Sequence, residues 1–416
     1  MFLLLDCDNF FVSCERAFQP KLKNRPVIVL SNNDGCVVAR SNEAKALGIP
    51  MGCPYFKVST LLQNAGGAVL SSNYELYSDM SRRVMGIIHD YFQNIEIYSI
   101  DEAFTETTQS SGLIDSALNI HKDILRQTGI SVSIGIAPSK TLCKIAGEAA
   151  KKRTTDKVVF LKDTEQSRPF LEKLEVSDVW GIGRKVTPQL NFLGIFTAWE
   201  LAQAPRRLIR SRFGISLERT VMELNGLPCL NLDNPEHQKT LICSRSFEKE
   251  ISDFEQLQKI IAEFVDSGCL RLRRQNSLAR GIITYISTNR FNSKQPFYQN
   301  SALVGLEEAS CSTPRFLTAM LCGLKQIYRP GFLYKRAGIT LVDIESQNGR
   351  QCGFFDNPEK QQKEQMLMRA FDNINSRLGR KSIYFGTSAP GINHYIRREF
   401  KSSAFTTSWN GLIKVN

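Results

Sequence analysis

With 416 residues, 42% of them hydrophobic, the chain is long enough for several buried cores, and at about 150 residues per domain it predicts three or more modules. The formal net charge of +12 lies entirely in residues 166–416, which hold 35 basic and 23 acidic side chains against 18 and 18 in residues 1–165. The basic excess favours a polyanionic partner, although a basic face that is merely solvated would give the same composition. The 11 cysteines and 4 histidines are scattered along the sequence, which argues against a zinc site or a redox motif. The sequence also shows no signal sequence or membrane span, so a cytoplasmic protein is expected.

Strand-like and helical segments alternate through residues 1–165. The predicted strands are FLLLD, RPVIVLSN, IEIYSIDEAF and ISVSIGIA, which are compact apolar or alternating runs. The predicted helices are SNEAKALGI, residues 74–92 and SKTLCKIAGEAAKK, whose apolar side chains recur at helical spacing. The mixed order indicates an α/β or α+β module that ends near residue 165.

The later part of the chain changes character twice. Residues 166–239 are predicted to be helical, and strands return over residues 240–345 as TLICSRSFE, ARGIITYIST and KRAGITLVDI, with helices at 254–274 and 314–328. Residues 346–362 are polar and predict a linker, and a basic tail follows.

Carboxylates stand beside two of the predicted strands. Asp6 and Asp8 follow the first strand, and Asp101 and Glu102 are expected towards the end of another. Crowded carboxylates repel one another unless a cation intervenes, and Mg²⁺ is a hard ion that prefers such oxygen ligands. The pattern permits a two-metal site, but acids that merely cap strands or face solvent would look the same.

Several motifs together resemble the Y-family of DNA polymerases, in particular its UmuC branch, the catalytic subunit of bacterial DNA polymerase V and its plasmid-borne relatives. They occur in order from residue 1 to the last residues: LLLDCDNFFVSCE, SNNDGCVVARSNEAKALGI, SSNYELYSDMS, IYSIDEAF, DVWGIGRK, LERTVMELNGLPCL, ICSRSFE and TTSWNGLIKV. The resemblance implies an error-prone translesion polymerase that copies damaged DNA during SOS mutagenesis.

The resemblance also implies an α+β multidomain fold, the right-handed polymerase arrangement of palm, fingers and thumb with the additional little finger of the Y-family and a C-terminal tail. The implied domains are a palm (1–10 and 75–165), fingers (11–74), a thumb with a helix-hairpin-helix (166–239), a little finger (240–345), a linker with a clamp-binding-like motif (346–362) and a C-terminal extension (363–416).

The family's metal ligands match Asp6, Asp101 and Glu102, with the backbone carbonyl of Cys7 as a further ligand, so two Mg²⁺ ions are implied as cofactors. Asp8 does not fall on a ligand position. Phe11 matches the steric gate, an aromatic ring that would exclude a ribose 2′-hydroxyl, although a core aromatic is the alternative.

Basic residues of the first module match the family's contacts to the incoming dNTP. Lys45 and Lys151 match triphosphate-binding residues, with Lys152 as a competing assignment for the second and a surface lysine as the alternative for either. Many relatives have tyrosine where this chain has Asn42, and Arg40 is expected to contribute nearby.

The resemblance extends to contacts with primer–template DNA. Gly181 and Gly183, followed by Arg184 and Lys185, resemble the hairpin of a helix-hairpin-helix, where backbone amides donate to a phosphate; a simple tight turn is the alternative. Arginines of the little finger are expected to contact the DNA backbone without reading its sequence, or else to pair with acidic neighbours: Arg271, Arg273, Arg274, Arg280 and Arg290.

Gln351, Phe354 and Phe355 resemble a peptide that binds the sliding clamp, unless the two aromatic rings form a small cluster on the little finger. A UmuD-type dimer and a RecA filament are the other partners that the resemblance implies. Two rival functions use the same features: a catalytically silent DNA-binding scaffold that recruits clamp and repair partners, and a two-metal nuclease. The scaffold has no need of the acidic set, and the nuclease has no need of a ring at Phe11.

Overall fold

The computed structural model describes residues 1–107, 112–153, 156–233, 238–293, 295–347, 358–379, 381–388 and 397–408. The chain forms two compact units, the first comprising Met1–Asn234 with Arg398–Asn416 and the second Pro235–Arg397. Within the described ranges, every helix is too short or too polar to cross a membrane.

The first unit contains eight strands and eleven α-helices in its described part. The strands are β1 (Phe2–Cys7), β2 (Val27–Leu30), β3 (Val37–Arg40), β4 (Ala68–Ser71), β5 (Ile95–Ile97), β6 (Glu102–Glu106), β7 (Val132–Ala137) and β8 (Val158–Phe160). The helices are α1 (Phe10–Phe18), α2 (Asn42–Ala46), α3 (Tyr55–Asn64), α4 (Tyr74–Tyr91), α5 (Leu113–Thr128), α6 (Lys140–Lys151), α7 (Thr164–Leu171), α8 (Thr187–Phe192), α9 (Ala198–Gln203), α10 (Arg206–Phe213) and α11 (Ile215–Leu224).

A five-stranded sheet in the order β5-β6-β1-β7-β8 carries the acidic residues. The central strand β1 is antiparallel to both β6 and β7, and its six residues are all buried. Successive side chains of a strand point to opposite faces, so Leu3 and Leu5 join the core that includes α4 and α5, whereas Phe2 and Leu4 join the core that includes α6. Helices on both faces explain why this strand is apolar from Phe2 to Leu5 rather than alternating.

Helix α6 approaches β7 so closely that a glycine is required at the contact. A Cβ at Gly135 would lie 2.3 Å from the carbonyl oxygen of Cys143 and 2.3 Å from the amide nitrogen of Gly147. Any side chain there would push the helix away from the sheet. This contact fixes the height of α6 above the sheet, and therefore the position of the lysines that the helix carries.

The segment 95–104 is not a single strand as predicted. β5 and β6 form an antiparallel pair in which Ile95 is opposite Thr105, and residues 98–101 make the connecting turn. Asp101 therefore lies in the turn and Glu102 begins β6. The prediction was wrong because a continuous apolar pattern does not reveal where a short segment reverses direction.

The rest of the first unit consists of a small sheet and a group of short helices. The three-stranded sheet has the order β3-β2-β4, with β2 antiparallel to β3 and parallel to β4, and forms a core with residues of α2 and α3. Helices α7 to α11 follow β8, and they share a core with one face of the large sheet. The helical pattern predicted for residues 166–239 agrees with these elements.

The second unit is a four-stranded antiparallel sheet with two helices that share its core. Its elements are β9 (Leu241–Ile251), α12 (Phe254–Arg274), β10 (Ser277–Thr288), β11 (Gln299–Ser310), α13 (Thr313–Ile327), β12 (Tyr334–Ser346) and α14 (Pro358–Arg377). The strand order is β11-β10-β12-β9, and residues of α12 and α13 complete the core. Helix α14 begins inside the predicted linker 346–362, and neither it nor β11 was predicted.

Candidate active site

The pairing of β1 with β6 brings two of the predicted ligands together. Asp6 and Glu102 are directly opposite each other in this antiparallel pair, at the end of β1 and the start of β6. Opposite residues of an antiparallel pair point to the same face, with Cβ atoms about 5 Å apart. The sequence pattern could not predict this contact between residues that are so distant in the chain.

The turn before β6 brings the third predicted ligand to the same place. The Asp101 carboxylate accepts a 2.6 Å hydrogen bond from Ser99 Oγ, and the Asp101 backbone carbonyl accepts a 2.9 Å hydrogen bond from the amide of Cys7. Asp6, Cys7, Asp101 and Glu102 all line one cavity of about 700 Å³. The structure thus brings together all four residues predicted to bind metal.

Two lysines of α6 pair with the carboxylates. Lys151 Nζ lies 2.8 Å from Asp6 Oδ2, and Lys144 Nζ donates to both carboxylate oxygens of Glu102 at 2.7 Å. Residues 144 and 151 are two helical turns apart and therefore share a face of the helix. Lys144 was missed in the sequence, although its seven-residue spacing from Lys151 was a usable signal.

Burial and crowding change the proton affinity of the carboxylates. Burial raises the pKa of Asp6 to about 7 against the opposing effect of Lys151, and the adjacent Glu102 adds to the increase. Burial also acts on Glu102, but its hydrogen bonds with Lys144 and Asp6 hold the pKa of this group below its usual value. Such crowding is relieved when a cation lies between the carboxylates.

The donor set fits a hard divalent cation, because it consists of carboxylates and a backbone carbonyl. As they stand, however, no three acidic, histidine or cysteine side chains in the described ranges are arranged to hold an ion. The lysine pairs explain this, since ammonium groups occupy the oxygens of Asp6 and Glu102. Asp8 lines the same cavity but has other partners, namely Lys157 at 2.6 Å and the hydroxyls of Ser131 and Ser133.

Phe11 lies in the first turn of α1, is half-buried and lines the same cavity. Its ring stacks on Tyr77 with centroids 4.4 Å apart and planes at 13°, and the edge of Tyr74 meets it at 6.1 Å. Phe11 is therefore both an aromatic residue at the border of the core and a wall of the cavity.

A group of cations forms another wall of this cavity, comprising Arg40, Lys45, Lys151 and Lys152. Burial lowers the pKa of Lys45, and the charges of Arg40 and Lys151 lower it further. Mutual repulsion of this kind is relieved by a bound anion. Asn42 also lines the cavity, and its side-chain oxygen accepts a 3.0 Å hydrogen bond from Asn9.

The predicted hairpin around Gly181 is a tight turn in which the amide of Ile182 donates to the carbonyl of Val179. Gly181 has φ +90°, a conformation that favours glycine, and the chain then enters α8. A single 3₁₀ turn, Val176–Asp178, precedes this tight turn. Arg184 and Lys185 are exposed.

The three arginines predicted at the end of α12 have different surroundings. Arg273 makes two 2.7 Å hydrogen bonds to Asp372 of α14, and it also donates to the carbonyl of Cys311 and the hydroxyl of Thr313. Its guanidinium is thus occupied within the protein, which favours the alternative that this arginine pairs with an acidic neighbour rather than with DNA. Arg271 and Arg274 are exposed, and Arg271 donates to the carbonyl of Ile242.

Two further predictions concern the linker and strand β10. The clamp-binding residues Gln351, Phe354 and Phe355 lie outside the described residues. Arg280, by contrast, lies 3.4 Å from Glu345 in an exposed ion pair.

The chain matches known families over most of its length. Residues 5–148 match the impB/mucB/samB family, residues 238–354 match its C-terminal domain, and residues 365–415 match a domain of unknown function, DUF4113. It is 40% identical to "Protein UmuC" of Salmonella typhimurium, with 100% of both chains covered. It is 36% identical to "Protein ImpB" of the same organism, with 99% of each covered.

More distant similarities agree with these matches. The chain is 26% identical to "DNA polymerase IV" of Desulfatibacillum aliphaticivorans over 90% of its own length and 93% of the relative. Among solved structures it resembles a Y-family DNA polymerase chimera of Dbh and Dpo4 with a TM-score of 0.67 and 21% identity, covering 83% of this chain and 99% of that one. The predicted α+β polymerase fold is thereby confirmed.

Proposed function

Because the chain belongs to the impB/mucB/samB family and is a UmuC-like translesion DNA polymerase of the Y-family, we propose that Asp6, Asp101 and Glu102 are its catalytic residues. The reaction is attack of a primer 3′-hydroxyl on the α-phosphate of a dNTP, opposite a template that includes damaged bases. The observation that carries the proposal is one cavity that joins the three acids, an aromatic ring and a wall of cations.

Catalysis in this family depends on divalent metal ions, and here we propose two Mg²⁺ ions held by Asp6, Asp101, Glu102 and the carbonyl of Cys7. When bound, such ions activate the primer hydroxyl and neutralise charge on the leaving pyrophosphate. To hold such ions, Asp6 and Glu102 would have to give up their pairs with Lys151 and Lys144. The position of Asp6 directly opposite Glu102 supports this proposal, because a divalent ion offsets the repulsion between two carboxylates more fully than one ammonium group.

Lys45, Lys151 and Arg40 are proposed to bind the triphosphate. Lys151 is about one-third exposed, and with Asp6 bound to a metal ion its ammonium group would be available to a phosphate oxygen. Cations in this position stabilise charge that grows on pyrophosphate as the bond breaks. Phe11 is proposed to be the steric gate that excludes ribonucleotides, as its position in the cavity wall supports.

Primer–template DNA is proposed to contact exposed basic residues in both units. Arg184 and Lys185 follow the turn at Gly181 and Gly183 in the first unit, and Arg271 and Arg274 lie at the end of α12 in the second. Contacts of this type bind phosphates and carry no sequence information, which suits an enzyme that copies any template.

Protein partners are proposed on the resemblance of the sequence alone. They are a sliding clamp bound through Gln351, Phe354 and Phe355, a UmuD-type dimer and a RecA filament. Since its substrate is DNA, the bacterial cytoplasm is the proposed place of action. Of the rival functions, the silent scaffold and the nuclease leave unexplained why the acids share a cavity with Phe11 and several cations.

Primer extension across an abasic site tests the proposal. The reaction contains Mg²⁺, dNTPs, clamp, and UmuD-type and RecA partners, and it compares the native chain with Asp101→Ala. We expect native extension past the lesion and none with the variant, while both bind primer–template equally well in an anisotropy titration. Native binding without extension would instead support the scaffold, and cleavage of the primer would support the nuclease.

A further inference from the structure

The C-terminal residues 398–408, here called the strap, return to the first unit and lie along one edge of its small sheet. The amide of Ser71, at the end of edge strand β4, donates to the carbonyl of Phe400 at 3.1 Å, and the amide of Phe400 donates to Ser71 Oγ at 3.0 Å. Phe405 stacks on Phe18 of α1 with ring centroids 5.0 Å apart. The strap is thus anchored by backbone hydrogen bonds and by an aromatic contact.

Ser402 connects the strap to a carboxylate in the core. Its hydroxyl lies 2.9 Å from Glu15 Oε1 and donates to it. Glu15 is fully buried on α1. Its carboxylate also accepts hydrogen bonds from the hydroxyl of Tyr77 at 2.9 Å and from the side-chain amide of Gln19 at 3.1 Å. A buried carboxylate is stable only when donors satisfy it, so each of these three bonds matters.

The same serine holds the beginning of α4. Asn73 precedes this helix, and asparagine at such a position usually accepts a hydrogen bond from an amide of the first turn. Here its side chain makes no such bond; instead its amide donates to Ser402 Oγ at 2.9 Å and to the carbonyl of Ser403 at 3.1 Å. The strap therefore fixes α1 and α4 relative to each other.

These contacts end at the wall of the active-site cavity. Tyr77 of α4 is fully buried, and its ring lies parallel to Phe11 of α1 at 4.4 Å. Phe11 borders the cavity that contains the catalytic acids. A continuous chain of contacts thus runs from Ser402 through Glu15 and Tyr77 to the proposed steric gate.

We propose that Ser402 is a positioning residue for sugar selection, acting through Glu15 and Tyr77 on the ring of Phe11. The proposal rests on the proposed function, since it requires Phe11 to be the steric gate. It gives part of the DUF4113 segment a role in the chemistry of the polymerase: the strap completes the support on which the gate rests. Without the Ser402 hydroxyl, Glu15 loses a donor, Tyr77 is held less firmly, and the ring admits a 2′-hydroxyl more readily.

The test measures the ratio of kcat/KM for a dNTP to that for the matching rNTP, using the full chain with its partners. Phe11→Ala is expected to lower the ratio most, and Ser402→Ala and Glu15→Gln roughly three- to tenfold. Ser403→Ala is the matched control, because Ser403 contributes a carbonyl oxygen that alanine retains. Ser402→Thr keeps the hydroxyl and is expected to restore the native ratio, which a general loss of stability would not permit.

The outcomes separate the two proposals. If Phe11→Ala lowers the ratio but Ser402→Ala matches Ser403→Ala, the strap has no role in selection and the inference is wrong. If Phe11→Ala leaves the ratio unchanged, Phe11 is not the steric gate, and the proposed positioning role of Ser402 is then wrong as well. Hydrogen exchange gives a readout without turnover: faster exchange of amides 10–13 and 74–78 in Ser402→Ala than in Ser403→Ala supports the link, and equal exchange contradicts it.

Discussion

Lys45 lies in a wall of the cavity together with Arg40, Lys151 and Lys152, and of these Lys151 pairs with Asp6 at 2.8 Å. Burial lowers the pKa of the Lys45 ammonium group, and Arg40 and Lys151 lower it further. The ammonium group therefore loses free energy of solvation and meets like charges, both of which a triphosphate would compensate. This residue is a direct probe of nucleotide binding, because it lies outside the proposed metal ligands.

We expect Lys45→Ala to lower kcat/KM for dNTP insertion by about 10- to 100-fold, since a cation that stabilises the leaving pyrophosphate is lost. Single-nucleotide insertion kinetics measure this. Lys57→Ala is the control, because Lys57 is an exposed lysine of α3 in the same part of the chain. Equal activity of the two variants would remove Lys45 from the triphosphate site.

Single residues also show what could be predicted from the sequence. The resemblance identified Asp6, Asp101 and Glu102, because these residues belong to compact motifs. Lys144 was not identified although its seven-residue spacing from Lys151 was a usable signal, and Lys157 was not identified because nothing local indicates that it would reach Asp8. For Arg273 the sequence could not decide between DNA and an acidic neighbour, because its partner Asp372 is 99 residues further along the chain.

At the scale of elements, α14 forms ion pairs with other elements of the second unit. Arg273 and Asp372 form a largely buried pair with two 2.7 Å hydrogen bonds. Met368 of α14 is also buried. Arg315 pairs with Glu364 of the same helix but also with Glu308 of β11. Arg273 loses its ion pair if Asp372 is replaced, whereas Arg315 keeps Glu308 as a partner if Glu364 is replaced.

Asp372→Ala is expected to lower the free energy of unfolding by about 2–4 kcal/mol, because it leaves the Arg273 charge buried without its partner. Glu364→Ala is expected to cost less than about 1 kcal/mol, since Arg315 is partly exposed and keeps Glu308. Urea unfolding followed by circular dichroism compares the two. Similar losses would show that α14 is held by apolar contacts rather than by the buried pair.

Element prediction succeeded where the pattern was long and periodic. The helix predicted at 254–274 is α12, with Phe254 and Arg274 as its first and last residues. Helix α14 was missed because its sequence, PEKQQKEQMLMRAFDNINSR, is largely polar and carries only a narrow apolar stripe. The break between β5 and β6 was missed because the turn at 98–101 interrupts a sequence that still reads as a strand.

At the scale of the whole molecule, the cavity belongs to the part of the sequence that has no net charge. The cavity is lined by residues between positions 6 and 157, whereas the excess of basic residues belongs to positions 166–416. The resemblance predicted the polymerase fold correctly, because matching motifs occur along the entire chain. It did not predict the return of the strap to the first unit, since this depends on scattered contacts such as Ser402 with Glu15.

The central claim is that the carboxylates at the end of β1 and the start of β6 carry nucleotidyl transfer. The most direct test is single-turnover dNTP insertion by Asp6→Asn and Asp8→Asn, two matched changes on neighbouring acids of the same cavity. We predict that Asp6→Asn lowers the rate by roughly a thousandfold or more, because a metal ligand is lost, while Asp8→Asn stays within about threefold of the native rate. Equal losses in both variants, or a native rate for Asp6→Asn, would contradict the account.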